Sequence, residues 1–267
     1  MPNFSTVEDT LFVPMLGRIY ASETFPDILY DEKALSLKAS LPTNIKGAKS
    51  QSQYTLMASA VRSTNMDRYI QRFMKQHPDG VIVQLGAGLE TTFYRNDNGK
   101  TQWYEVDLPT VITYREKLLK EHPLDTYLTA DAFSEEWIKE VRKDHPTCPI
   151  LVTASGLFYY FEEEKVITSL KRLKKYGHIE VVFDTVNQKG MKRMSHYMKK
   201  VGHEDANMFF YVDDVDAFTK KIGGVQGKEE AYYSYTKKSS FNFMTFISMF
   251  VSDCFHMVKM IHILMNE

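Results

Sequence analysis

Cysteine is scarce: the 267-residue chain carries only Cys148 and Cys254. Two cysteines so far apart, with no CxxC, exclude a disulfide framework and favour a reducing compartment. An excess of either charge is lacking too. Lys and Arg number 33 and Asp and Glu 34, a formal net charge of −1. That balance supplies no net field to draw nucleic acid or an anionic membrane, so neither is an expected partner. The most apolar stretch, residues 241–265, is interrupted by Asn242, Asp253, His256, Lys259 and His262, and no membrane span is expected. The opening MPNFSTVEDTLF lacks the basic region and apolar core of a signal peptide, which points to the cytoplasm. His, Cys and carboxylates nowhere cluster with metal-ligand spacing, so no metal is expected.

What is there is ordinary globular usage, 43% hydrophobic and 25% charged, which excludes disordered and fibrous classes. The length suits one large domain, or a domain with a cap, with a core that needs no staples. Residues 51–76 read as a helix with Leu56, Ala60, Ser63, Asp67, Ile70 and Met74 on one face, ended by His77-Pro78-Asp79-Gly80. Val81–Leu85 is an apolar run suited to a strand buried on both faces. Strands are also predicted at Thr101–Asp107, Asp125–Asp131, Pro149–Ser155 and His178–Val186, with further ones at 228–236 and 257–265. Between them, helices are predicted from Pro109 to Lys120, after an N-cap at Ser134, over Glu162–Tyr176, over 188–210, and over Asp213–Ile222 before Gly223-Gly224. Glu162–Glu164 start one of these helices and Lys171, Arg172, Lys174 and Lys175 end it, matching its dipole. Alternating strands and helices predict an α/β fold with a mainly parallel sheet and a site at the carboxyl ends of its strands.

Four segments at such strand ends suit ligand chemistry. Gly86-Ala87-Gly88 follows the first strand, where glycines allow a sharp turn and close backbone approach. Thr91 stands where a dinucleotide fingerprint has its third glycine, which argues against a pyrophosphate on this helix. Asp107, 19 residues after Gly88, can accept from both hydroxyls of an adenosine ribose, in a nicotinamide or a sulfonium cofactor alike. Asp131 suits either an adenine amine or a turn. Thr153–Phe161 (TASGLFYYF) suits a floor under a ligand or plain core packing.

Together LGAGLETTFYR (85–95), YEVDLP (104–109), ASGLFYYF (154–161), TLFVPMLGRIYASETFPDIL (10–29) and YVDDVDAFT (211–219) resemble the leucine carboxyl methyltransferase superfamily, in particular its polyketide-type, tetracenomycin-pathway-like O-methyltransferases. The resemblance covers most of the chain. It implies a class I methyltransferase: a Rossmann-like, seven-stranded, mostly parallel sheet with helices on both faces. It implies a single domain, with 1–50 and 187–222 forming a helical cap over a 77–186 cofactor core. The implied cofactor is S-adenosyl-L-methionine, and the implied acceptor a carboxylate or hydroxyl of a small molecule. Arg62 resembles the residue that grips the methionine carboxylate. Gly86, Ala87 and Gly88 pass beside the methionine portion. Asp107, with Leu108 next to it, resembles the ribose-binding acid, and Asp131 and Ala132 the pair beside the adenine. Ser155 stands where many relatives carry a glutamate near the cofactor amino group, and Tyr160 completes the cofactor-facing set.

A carboxylate acceptor needs no general base, whereas a hydroxyl does. Tyr159, Tyr160, Asp184 and His203 are the candidate bases, none of them convincing. Phe209, Phe210 and Tyr211 are candidate lining of the acceptor pocket, and Met244, Met249, Met257, Met260 and Met265 are expected in the core. Other readings are a protein C-terminal carboxyl methyltransferase, a nicotinamide dehydrogenase, and a cofactor-binding protein without catalysis.

Overall fold

The apolar runs assemble into one seven-stranded sheet. The computed structural model describes residues 11–42, 45, 51–200 and 207–265. In chain order the elements are α1 (Phe12–Thr24), α2 (Glu32–Leu37), α3 (Gln53–Gln76), β1 (Val81–Leu85), α4 (Thr92–Asn96), β2 (Gln102–Asp107), α5 (Pro109–Leu118), β3 (Asp125–Thr129), α6 (Glu136–Asp144) and β4 (Ile150–Ala154). They continue with α7 (Glu163–Leu173), β5 (Ile179–Val186), α8 (Gln188–Lys200), α9 (Val215–Ile222), β6 (Gln226–Ala231), α10 (Phe243–Cys254) and β7 (Val258–Met265). The sheet order is β3-β2-β1-β4-β5-β7-β6. β1 to β5 pair in parallel, and β7 runs antiparallel to β5 and β6. From β1 the chain first winds outward to β2 and β3, then returns to β4 on the other side. That reversal opens a crevice at the carboxyl ends of β1 and β4.

Period-two alternation divides the core. Val81, Val83 and Leu85 of β1 face Trp137, Ile138, Val166, Leu170, Phe218 and Ile222 from α6, α7 and α9. Ile82 faces the opposite layer with Met57, Val61, Ile70 and Phe73 of α3. Each such side chain contributes about 1.5–3 kcal/mol through burial.

Local details differ from expectation for physical reasons. Of the face expected on α3, Ala60, Ser63 and Ile70 are buried, joined by Met57, Val61, Tyr69 and Phe73, whereas Asp67 is only partly buried and engaged by Arg95 at 2.9 and 3.0 Å. Ser134 is not the N-cap of α6; Glu135 holds that position, and the Ser134 hydroxyl accepts from Glu136 N at 3.3 Å. The helix expected over 188–210 does not reach 207–210, which are non-helical; there the amides of Phe209 and Phe210 donate to the Tyr159 carbonyl. The strand expected at 228–236 is Gln226–Ala231, followed by a turn. Sequence reading assigned no element to α10. Of the five methionines expected in the core, Met249, Met257, Met260 and Met265 are buried but Met244 is 72% exposed. No helix among the described residues is long and apolar enough to cross a membrane.

Candidate active site

At the end of β1 the chain turns through Gly86 and Gly88 with φ of +64° and +49°, a region that disfavours side chains. A Cβ on Gly86 would stand 2.8 Å from Leu157 Cδ1, and one on Gly88 2.9 Å from Leu11 Cδ2. The amides of Gly86 and Ala87 donate to the Val106 carbonyl at 2.9 and 3.2 Å, tying the turn to β2. Asp107, at the tip of β2, accepts from Gly88 N at 2.8 Å and Leu108 N at 2.7 Å. Two buried guanidiniums hold the loop from behind. Arg115 donates to the Gly88 and Glu90 carbonyls at 3.1 and 2.8 Å. Arg18 donates to the Leu89 carbonyl at 2.7 Å and to the Glu90 carboxylate at 2.6 Å.

A second cluster forms where β4 and β5 end. Asp184 of β5 accepts from Gly156 N at 2.7 Å and from the Tyr159 hydroxyl at 2.9 Å, and it faces Arg62 Nη1 of α3 at 3.5 Å. Burial is the largest influence and works against the Arg62 charge, but Asp184, with Tyr232, Glu90 and Tyr159 adding to it, holds the guanidinium's pKa above its ordinary value. Gly156 has φ of +68°, and a Cβ there would lie 2.4 Å from Arg62 Nη1. The glycine thus admits the guanidinium against the backbone.

Between these clusters lies a cavity of about 910 Å³. All ten residues singled out from sequence line it: Arg62, Gly86, Ala87, Gly88, Asp107, Leu108, Asp131, Ala132, Ser155 and Tyr160. Asp131 is half exposed, 3.9 Å from Lys165, whose ammonium rests over the rings of Phe133 and Phe161 at 4.5 and 4.6 Å. Much of the remaining wall is apolar or hydroxylated: Tyr54 and Ala58 of α3, Met194 of α8, Tyr232 and Tyr233 after β6, and Ile247, Val251 and Ser252 of α10.

Phe209, Phe210 and Tyr211 do not line the cavity; Met208 does. Phe210 is fully buried against Phe158, Phe183 and Phe218, so core packing claims it. α9, inside the segment expected as cap, packs Phe218 and Ile222 into the sheet core instead. Residues 1–10, 43–44, 46–50 and 201–206 of that expected cap lie outside the described residues, as does His203.

No histidine lines the cavity among the described residues. Tyr159, Tyr232 and Tyr233 are held well above the ordinary tyrosine pKa, in each case first by burial. Glu90 is engaged by Arg18, and Asp184 by three donors. Among the described residues no His, Cys, Asp or Glu cluster could hold a metal ion.

Sequence reading passed over Arg18, Arg115 and Glu90, and it weighed Asp184 only as a base. A cation inside the otherwise apolar helix FVPMLGRIYA was the available signal for Arg18; its partner Glu90 lies 72 residues away.

The sequence model of the leucine carboxyl methyltransferase family matches residues 13–174, more than half of the chain. The tetracenomycin polyketide synthesis O-methyltransferase TcmP of Streptomyces glaucescens is 32% identical over 127 residues, 47% of this chain and 46% of that protein. The match thus spans about half the length of that relative. A DUF574 family protein from Streptomyces avermitilis superposes with a TM-score of 0.60 at 11% identity, over 95% of this chain and 99% of that one. Human N-acetylserotonin methyltransferase, solved with S-adenosylmethionine, superposes at 0.51 and 8% identity, over 95% and 72%. These likenesses show the class I methyltransferase fold. On the extent of the family match, the chain belongs to the leucine carboxyl methyltransferase family.

Proposed function

We propose that the chain is an S-adenosylmethionine-dependent O-methyltransferase acting on a small molecule. The observation that carries this reading is the junction of Gly86–Gly88, Asp107 and the Arg62–Asp184 pair in one cavity of about 910 Å³. The residues fit the cofactor. The cradle at Gly86, Gly88 and Gly156 is space that a Cβ would fill. Asp107 would accept from the ribose hydroxyls, Arg62 would face the methionine carboxylate, and Asp131 with Ala132 would border the adenine. Ser155, in place of the family's glutamate, offers one hydroxyl oxygen to the amino group. When bound, the cofactor supplies a methyl group on a positively charged sulfur, open to in-line displacement.

The protein's task is then alignment, which positioning alone can accelerate greatly. The compartment between α3, α8 and α10 would hold the acceptor. Helices α1, α2 and α8 would form the cap, with α10 added to the segments anticipated from sequence. The cavity's carboxylates are engaged or lie at the adenine end, and its buried tyrosines stay protonated at neutral pH. That environment favours an acceptor that is ionised on arrival, a carboxylate over an alcohol.

Calorimetric titration of S-adenosylhomocysteine and, separately, NADH tests the reading. The expected result is binding of S-adenosylhomocysteine alone, weakened about a hundredfold or more in Asp107→Ala through loss of two charged hydrogen bonds. NADH binding, or binding of neither, overturns it.

A further inference from the structure

We propose that the mouth of the cavity between α8 and α10 is a docking surface for an anionic lipid bilayer. α10 turns an apolar stripe outward. Thr245, Met249 and Ser252 are buried, whereas Phe243, Met244 and Phe250 are 73%, 72% and 52% exposed. Ile247 lies between them on the same stripe and is 37% exposed. Spacing of i, i+1, i+4 and i+7 keeps the four on one side of the helix. Phe255, just past its end, is 59% exposed. Contiguous exposed aromatic and aliphatic side chains of this kind mark an interaction site.

Charge selects the occupant. The only ionisable acid in α10 is Asp253, which Lys238 neutralises at 2.9 Å. α8 carries no acid at all in QKGMKRMSHYMKK, and its Lys189, Lys192 and Arg193 are exposed. None of these three pairs with a carboxylate among the described residues. The start of α8 is tied to the end of α10 through flanking residues: Asn187, before α8, donates through Nδ2 to the Phe255 carbonyl at 2.9 Å and through its amide to the Met257 carbonyl at 3.1 Å. An apolar stripe that enters the acyl boundary, beside cations that meet anionic headgroups, is the arrangement of an interfacial helix. The near-zero charge of the whole chain conceals this local excess.

Both helices also line the cavity, through Met194 on α8 and Ile247, Ser248 and Val251 on α10. An amphiphilic acceptor, its apolar body in the bilayer and its carboxylate at the headgroup level, would reach the compartment without leaving the membrane surface. This last step rests on the methyltransferase reading; the docking itself does not.

Co-sedimentation with vesicles of equal parts phosphatidylglycerol and phosphatidylcholine, and with phosphatidylcholine alone, tests the surface. Binding is expected to the anionic vesicles only and to weaken at high salt. Lys189→Glu/Lys192→Glu should lower the partition about tenfold or more. Phe243→Asp/Phe250→Asp should lower it by a comparable factor. Neither pair lines the cavity, so S-adenosylhomocysteine affinity, measured on the same samples, should stay unchanged and report intact folding. Vesicle binding without cofactor binding would leave the surface standing and overturn the methyltransferase reading. Absence of vesicle binding, equal binding to both vesicles, or a protein dimer abolished by the Phe substitutions in place of vesicle binding would overturn the surface.

Discussion

Gly156 shows how narrowly one residue sets the site. Its amide holds Asp184, and the room left by its missing side chain holds Arg62. Gly156→Ala therefore has two separable consequences. An alanine at φ of +68° is strained, which should lower stability by about 1–3 kcal/mol. Its methyl would also push the Arg62 guanidinium aside, since Nη1 stands 2.4 Å from the ideal Cβ. Losing one charge-assisted hydrogen bond should weaken S-adenosylhomocysteine by about tenfold or more. A thermal melt reads the first effect and calorimetry the second. A variant with the stability loss and unchanged affinity would remove Arg62 from the proposed cofactor set.

Across elements, β2, β3 and α5 meet at a buried cluster in which one cation serves two acids. Arg115 of α5 lies 3.2 Å from Glu105 of β2, both fully buried, and Asp125 of β3 is fully buried nearby. Both Asp125 carboxylate oxygens and Glu105 Oε2 have no hydrogen-bond partner among the described residues. Burial is the main force raising these carboxyls, to about 8 for Glu105 and about 6 for Asp125; Arg115 opposes the rise, and Asp125 adds to that of Glu105. The folded state then holds protons that the unfolded state has released. The resulting stability is complete below the ordinary carboxyl values of 4.5 and 3.8 and is lost as pH rises through about 6 and about 8. Urea midpoints should therefore fall between pH 4.5 and about 8, and Glu105→Gln should flatten that slope. An unchanged slope in the variant would show that the proton resides elsewhere.

The same scale explains what was legible in sequence. Strands β1, β4 and β5 are buried on both faces, so each appears as an apolar run and its position follows. The glycine turn and Asp107 were legible because their spacing is local. α10 was not, because its buried face mixes Thr245 and Ser252 with Met249 while Phe243, Met244 and Phe250 lie outward, and periodicity cannot find a buried face that composition does not mark. Asp184 was legible as an acid but not as the partner of Arg62, which lies 122 residues away. Loop-holding residues such as Arg18 acquire meaning only when long-range contacts close.

For the whole molecule, the cavity joins parts of the chain that separate sub-cores hold in place. Its wall takes Leu11 from the N-terminal cluster, Leu157 from one face of the sheet, and Tyr233 from the other. A ligand contacting all three must stabilise the fold globally. S-adenosylhomocysteine at about a hundredfold excess over its Kd should add about 2.7 kcal/mol. For a chain of this size that corresponds to a rise in Tm of about 5 °C or more. Hydrogen exchange should slow together in α1, in the turn after β1 and in the Tyr232–Tyr233 turn. Asp107→Ala should remove both the Tm shift and the shared protection at the same ligand concentration. Protection confined to the β1 turn would mean that the ligand touches the sheet edge alone, and that α1 and the Tyr232–Tyr233 turn take no part in holding it.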